Sequence, residues 1–311
     1  MFFSNNITSK DWIPDDYSTK HNFTVNKSLY SQRFHQCTLC RKPWTPSTFF
    51  QDLLPSAERT ALLYHLSYLC LGGFPKLEDL IRGQALETQQ LFGSSESLMM
   101  KCVVMCSNLD SSLFPILTKV TEKNKPLLIL VYLEKVRTWI HDIIRAVGDM
   151  VKRYEQHSQS VRICLSAVIQ EELNCSRTQP GVIPSPVHLK DVQQCLTRIQ
   201  QILLQLKLFW ERVGDSLYTM KNKTFVGEDL IEDLDDLKEE FLTAIEATRK
   251  YWNNFGGCCR SAQGVFSIQS KDAYKFLEIN PSSLSEDERK MLYESVMEKL
   301  NQITPQYSST E

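Results

Sequence analysis

Glycine and proline are both scarce in this chain: 11 and 12 of 311 residues. A fold of many short strands needs a turn every eight to twelve residues, and turns draw on these two residues, so a sandwich or barrel is a poor fit. Long apolar runs are missing as well. No window of 18 uncharged apolar residues exists, and the best candidate, PLLILVYL at 126–133, lies between Lys125 and Glu134 and is too short to span a bilayer. Neither sign of charge is in excess. With 35 basic against 37 acidic residues the formal net charge is −2, which gives no field to draw in nucleic acid or an anionic membrane. Gly-x-Gly-x-x-Gly, the P-loop, Gly-x-Ser-x-Gly and His-Glu-x-x-His are all absent, and no Glu stands three residues before any of the six histidines, as di-iron bundles require.

What is present is helical periodicity. From Pro126 to Cys175 there is no further proline and one glycine, Gly148. Apolar residues recur at alternating steps of three and four: Leu133, Val136, Ile140, Ile143, Val147, Met150 and Tyr154, then Val161, Cys164 and Val168. Ile144, Val151 and Leu165 widen this stripe beyond a two-stranded seam, which points to a multi-helix bundle. SRTQPGVIPSP (176–186) interrupts the helix, and a second stripe follows through Leu189, Val192, Leu196, Ile199, Leu203, Leu206, Trp210, Val213, Leu217 and Met220. A third runs through Leu230, Leu234, Leu237, Phe241, Ala244, Tyr251 and Phe255, with Gly256 and Gly257 expected to end it. LSEDERKMLYESVMEKLNQI places Ser285 at an N-cap with Glu288 three positions on, a capping box. Earlier in the chain, Ser56 reads as the N-cap of a helix stopped by Gly72 and Gly73, followed by shorter helices at about 76–92, 96–109 and 112–123.

The expected fold is therefore all-α, an elongated antiparallel helical bundle built on long amphipathic helices. Fifty residues of helix make a rod of roughly 75 Å, too long for a sphere of this mass. The expected organisation is a flexible polar N-terminal arm (1–47), a short-helix segment packing on the bundle (48–124), a long three-helix core (125–257), and a C-terminal segment (258–311) ending in the capped helix at 285–303. MFFSNNITSKDW lacks the pattern of a secretory signal, so the ten cysteines are expected reduced in a cytoplasmic setting.

Several residues invite a chemical reading. HQCTLCRKPW offers Cys37 and Cys40 with His35 as half of a zinc site. The next donors, His65 and Cys70, are five apart on a predicted helix and do not share a face. The bland reading, two reduced thiols in an arm, is preferred. His157 takes a core position and reads as a satisfied core histidine, as the site of a kink, or as a buried switch. Cys164 and Cys195 are expected near each other without a disulfide. EDLIEDLDDLKEE (228–240) carries eight acidic residues and one lysine, a solvated face or a dock for a basic partner. Cys258 and Cys259 read as ordinary thiols, with lipidation or redox pairing as the sharper alternative. Trp139, Trp210 and Trp252 fall at core spacing and, by level counting, at different heights.

No catalytic, cofactor or metal residue is assigned. The function expected is that of a non-catalytic scaffold or protein-interaction protein, self-association included. In architecture alone, the long antiparallel helices resemble α-helical pore-forming cytolysins and apolipoprotein-like proteins. That implies a membrane-acting alternative, with 96–133 as the inserting segment; membrane contact is not favoured. A zinc-binding adaptor is a weaker third reading.

Overall fold

A computed structural model describes residues 50–71, 74–123, 126–175, 186–224 and 234–303. The expected arm 1–47 with His35, Cys37 and Cys40, and the expected stop at Gly72 and Gly73, lie outside these. Among the described residues the helices are α1 (Leu53–Leu69), α2 (Pro75–Asn108), α3 (Phe114–Glu122), α4 (Pro126–Cys175), α5 (Pro186–Thr224), α6 (Leu234–Gln269) and α7 (Glu286–Gln302). No strand occurs among them. The chain is an all-α bundle of long antiparallel helices.

The two stripes read from the sequence are the buried faces of α4 and α5. On α4, every position from Leu133 to Val168 in the three-and-four series is buried, His157 included. On α5, Leu189 through Val213 behave the same way. Each such side chain contributes roughly 1.5–3 kcal/mol on leaving water, so packing rather than helix propensity holds the rods. The two helices run antiparallel. The Gln200 side-chain amide donates to the Val151 carbonyl at 3.4 Å, Lys207 lies beside Gly148, and Gly214 faces Ile140 and Ile144. The helix is not interrupted at His157: α4 is helical over all 50 residues.

The first half departs from expectation. Ser56 is not an N-cap; it is buried inside α1, and its carbonyl accepts the Thr60 hydroxyl at 2.7 Å. Position 52 precedes the helix instead, and Asp52 pairs with Arg198 of α5, tying the start of α1 to the bundle. Gly93 breaks nothing, because tertiary contacts on both sides outweigh the roughly 1 kcal/mol that an interior glycine costs. The predicted helices at 76–92 and 96–109 are one of 34 residues, and the one at 112–123 is α3. Proline at 115 does not stop the rod either. Its ring has no N–H to give and crowds the carbonyl four residues back, and the chain widens into a π turn, Leu109–Leu113, that carries the helix past it.

Gly256 and Gly257 were expected to terminate the third stripe, and they do not: α6 continues to Gln269. Gly256 serves close approach. A Cβ there would lie 3.0 Å from the Cβ of Cys106 on α2. α6 runs antiparallel along α2, and its reach to α5 is made by aromatic side chains. Two 3-10 turns (Asp272–Glu278 and Pro281–Ser283) then lead into α7. There the predicted capping box is present: the Ser285 hydroxyl accepts from the Glu288 amide, and Glu288 Oε2 accepts from the Ser285 amide at 2.8 Å.

Gly256→Val is expected to lower stability by about 1–3 kcal/mol, because the seam with Cys106 has no room for the side chain. Gly257→Ala, where nothing lies within 4 Å, is expected to raise it by up to about 1 kcal/mol. Urea midpoints of the two variants measure both.

Candidate functional site

Chemically capable side chains gather in three places, all between helices. The first is a polar cluster where α1, α2 and α4 meet the 3-10 turn. Thr88 Oγ1 lies 2.6 Å from His157 Nε2, 3.1 Å from the Tyr64 hydroxyl and 2.9 Å from the Gln84 carbonyl. A threonine hydroxyl has one proton and two lone pairs. Thr88 is directed as donor at both the Gln84 carbonyl and the Tyr64 hydroxyl, which share its single proton, and it accepts from His157 Nε2–H. That arrangement puts the single proton of a neutral imidazole on Nε2. The other ring nitrogen, Nδ1, is buried without a partner, as is the hydroxyl of Tyr274. One turn along, the Ser95 and Tyr154 hydroxyls lie 3.1 Å apart.

Burial sets the protonation of this cluster. Desolvation pushes the Tyr64, Tyr154 and Tyr274 phenols up, which keeps them neutral. It pushes His157 down to about 4. The result is a buried neutral core histidine whose Nε2 has a partner and whose Nδ1 has none, which departs from the fully satisfied histidine expected.

The second cluster was not foreseen. Cys102 and Cys106 on α2 face Cys259 on α6, with Cys258 at the edge. The Cys102 and Cys259 thiols are hydrogen-bonded, and that contact, then burial, pushes Cys259 up. Burial does the same for Cys106 and Cys258. Raised thiols carry little thiolate, the nucleophilic form, so this arrangement favours packing over reaction. Cys164 and Cys195 are likewise buried free thiols against α1, Cys164 beside Tyr64 and Cys195 beside Thr60 one turn away.

The third is aromatic, and it corrects the reading that the tryptophans sit at separate levels. Trp210 and Trp252 lie 5.3 Å apart between ring centroids, within a nest with Phe209, Tyr251 and Phe255. Counting levels along consecutive helices does not capture that α6 packs chiefly on α2. Trp139 is elsewhere, half-buried, with the Lys135 ammonium 5.4 Å over its ring. The nest fills the gap between α5 and α6 with its own rings and leaves the Trp210 N–H unpaired.

His65 and Cys70, weighed as zinc donors, take other roles. His65 stacks on Phe276 at 4.7 Å, and Cys70 donates to the Leu66 carbonyl. Among the described residues no three His, Cys, Asp or Glu side chains gather where they could hold a metal. Of the acidic run 228–240, residues 228–233 lie outside the described residues. In the 96–133 segment Met99, Cys102, Val103, Met105 and Cys106 face the core, and among the described residues no helix is long and apolar enough to cross a membrane. No family model matches the chain, and neither the curated proteins nor the solved structures contain a match.

The neutral His157 gives stability a definite pH dependence. Its folded value of about 4 is below its unfolded value of about 6.5, so the unfolded chain binds the proton more readily. The contribution is complete above pH 6.5 and is lost as pH falls from 6.5 towards 4; it amounts to roughly 3 kcal/mol. Urea unfolding of wild type and His157→Leu at pH 7.5 and 4.5 measures it, and the variant is expected to lose less stability on acidification.

Proposed function

We propose that this chain is a non-catalytic helical-bundle protein that binds protein partners along the outer faces of its long helices. The observation that carries this reading is where apolar side chains remain in solvent. The interior stripes are buried from Leu133 to Val168 on α4 and from Leu189 to Val213 on α5, yet Ile163 is 72% exposed and Val131 64%. Ile169, Leu173, Val187 and Tyr218 are exposed on the same two helices. Scattered apolar residues on a surface are ordinary, but several on one long hairpin offer the anchors that a partner helix or sheet edge buries.

The buried clusters support the same reading from the other side. Their thiols, phenols and His157 are held in neutral, unreactive forms, and they lock helices together. Exposed ion pairs such as Arg145–Asp142 and Lys275–Asp272 keep the remaining outer surface polar.

Ile163→Glu combined with Leu173→Glu tests the proposal. Both sites are exposed, so thermal stability is expected to stay within about 1 kcal/mol of wild type. Proteins cross-linked to the full-length chain in cells are expected to drop at least tenfold in yield, and any self-association seen in sedimentation to weaken. An unchanged cross-linked set and an unchanged sedimentation profile would sink the reading.

A further inference from the structure

α7 is attached differently from the other helices. It contributes two fully buried residues, Val296 and Leu300, with Leu292, Tyr293 and Met297 half-buried beside them. These five form one face at helical spacing, and that face rests mainly on α1. The chain enters α7 from two 3-10 turns rather than from a long helix. A short element with so small an apolar footing opens at lower cost than the rods beneath it.

Two histidines border this contact. His65 on α1 stacks on Phe276, and its Nε2 is buried with no hydrogen-bond partner. His188 on α5 has its Nε2 2.9 Å from the Tyr293 hydroxyl of α7. The surrounding charges offer a protonated His65 no counter-ion. α7 acts on it through Lys299, a like charge, and Arg289 of the same helix acts on Cys70 nearby. The carboxylates of α7 (Glu286, Asp287, Glu288, Glu294 and Glu298) are exposed. From α2, Arg82 and Glu78 both pair with the Tyr68 hydroxyl, one turn from His65. The 3-10 turn offers only the Phe276 ring to His65; its Lys275 is paired with Asp272. His188 differs in having Asp191 on its own helix to favour its cation, and a protonated ring can still donate to Tyr293.

We propose that α7 is an acid-released strap: protonation of His65, on the helix that α7 rests on and stacked against the turn that leads into it, with no anion on α7 to receive the charge, frees α7 from α1 and exposes the apolar seat for a partner helix of the same amphipathic pattern. The protein-binding part of this idea rests on the function proposed above; the release itself does not.

Burial holds His65 near 4 in the closed state, against an ordinary value of 6.5 once released. The sign is that of a lowered base: the closed state is fully favoured above pH 6.5 and loses its advantage as pH falls towards 4. Between pH 7.5 and 5.0 the opening equilibrium is expected to rise about thirtyfold.

Hydrogen exchange on the full chain, expressed as protection factors for residues 286–302 at the two pH values, reads this directly. The thirtyfold loss is expected in wild type and in His157→Leu, since α7 opens without global unfolding. It is expected to vanish in His65→Phe, which keeps the ring stacked on Phe276 but cannot titrate, and to shrink in Lys299→Met, an exposed position that bears no packing. If His65→Phe does not fold, Lys299→Met carries the test. Protection that is unchanged at pH 5.0, or that falls equally in every folded variant, overturns the strap. A strap that opens as expected in a protein whose Ile163/Leu173 variant keeps all its partners would leave release standing and remove the proposed docking face.

Discussion

The seam between α2 and α6 is the constraint on which the rest of the molecule depends. Arg82 donates to the Leu277 carbonyl, Gln89 to the Ser270 carbonyl, Gln263 to Glu96, and Arg249 to Asp110. Two steps of seven and one of fourteen along α2 and its π turn are answered by equal steps back along α6 and the turn after it, and a Cβ at Gly256 would meet Cys106 in the interval without a rung. Polar rungs at heptad spacing fix the sliding position of two antiparallel helices more sharply than an apolar face can, since a slip of one turn would leave all of them unmatched. With that register set, Tyr274 and Phe276 arrive over Tyr64, His65 and Phe92, and the aromatic nest arrives over α5.

A second consequence of the register is chemical quiet. The groups that could act as nucleophiles or bases are drawn into helix seams, where low polarity disfavours their charged forms. Tyr64, Thr88 and His157 link α1, α2 and α4 at one level, and the cysteines of α2 and α6 pack at another. Such buried polar contacts specify which helix faces which at some expense in stability, because Nδ1 of His157 and the Tyr274 hydroxyl are left without partners.

Much of the bundle was legible in residue order. The α4 and α5 stripes are long enough that a period of three and a half stands out, and the Ser285–Glu288 box marks its own helix. Where the reading failed, local signals lost to contacts distant in sequence. Gly93 and Gly256 resemble stops until α2 and α6 are laid together; Gly256 is then the residue that admits Cys106. Pro115 resembles a break because a π turn has no signature in residue order alone. Ser56 mimics a cap, whereas Asp52 is drawn to Arg198, nearly a hundred and fifty positions away. The thiol cluster and the paired tryptophans depend on which helix faces which, and the periodicity of a single helix does not carry that. A test for a seven-residue rhythm of polar residues, run across both glycines, is the signal that would have found them.

The π turn at Leu109–Leu113 also bears on how lengths are matched. By carrying the backbone through Pro115, it makes Pro75–Glu122 one 48-residue column, close to the 50 residues of α4 beside it. One additional residue within a helical turn also resets the angular phase of everything after it, so Phe114, Leu117 and Val120 of α3 are turned inward. An α2 column built without that wider turn would present a different side of α3 to α6, and the last third of the column would lose its lateral support.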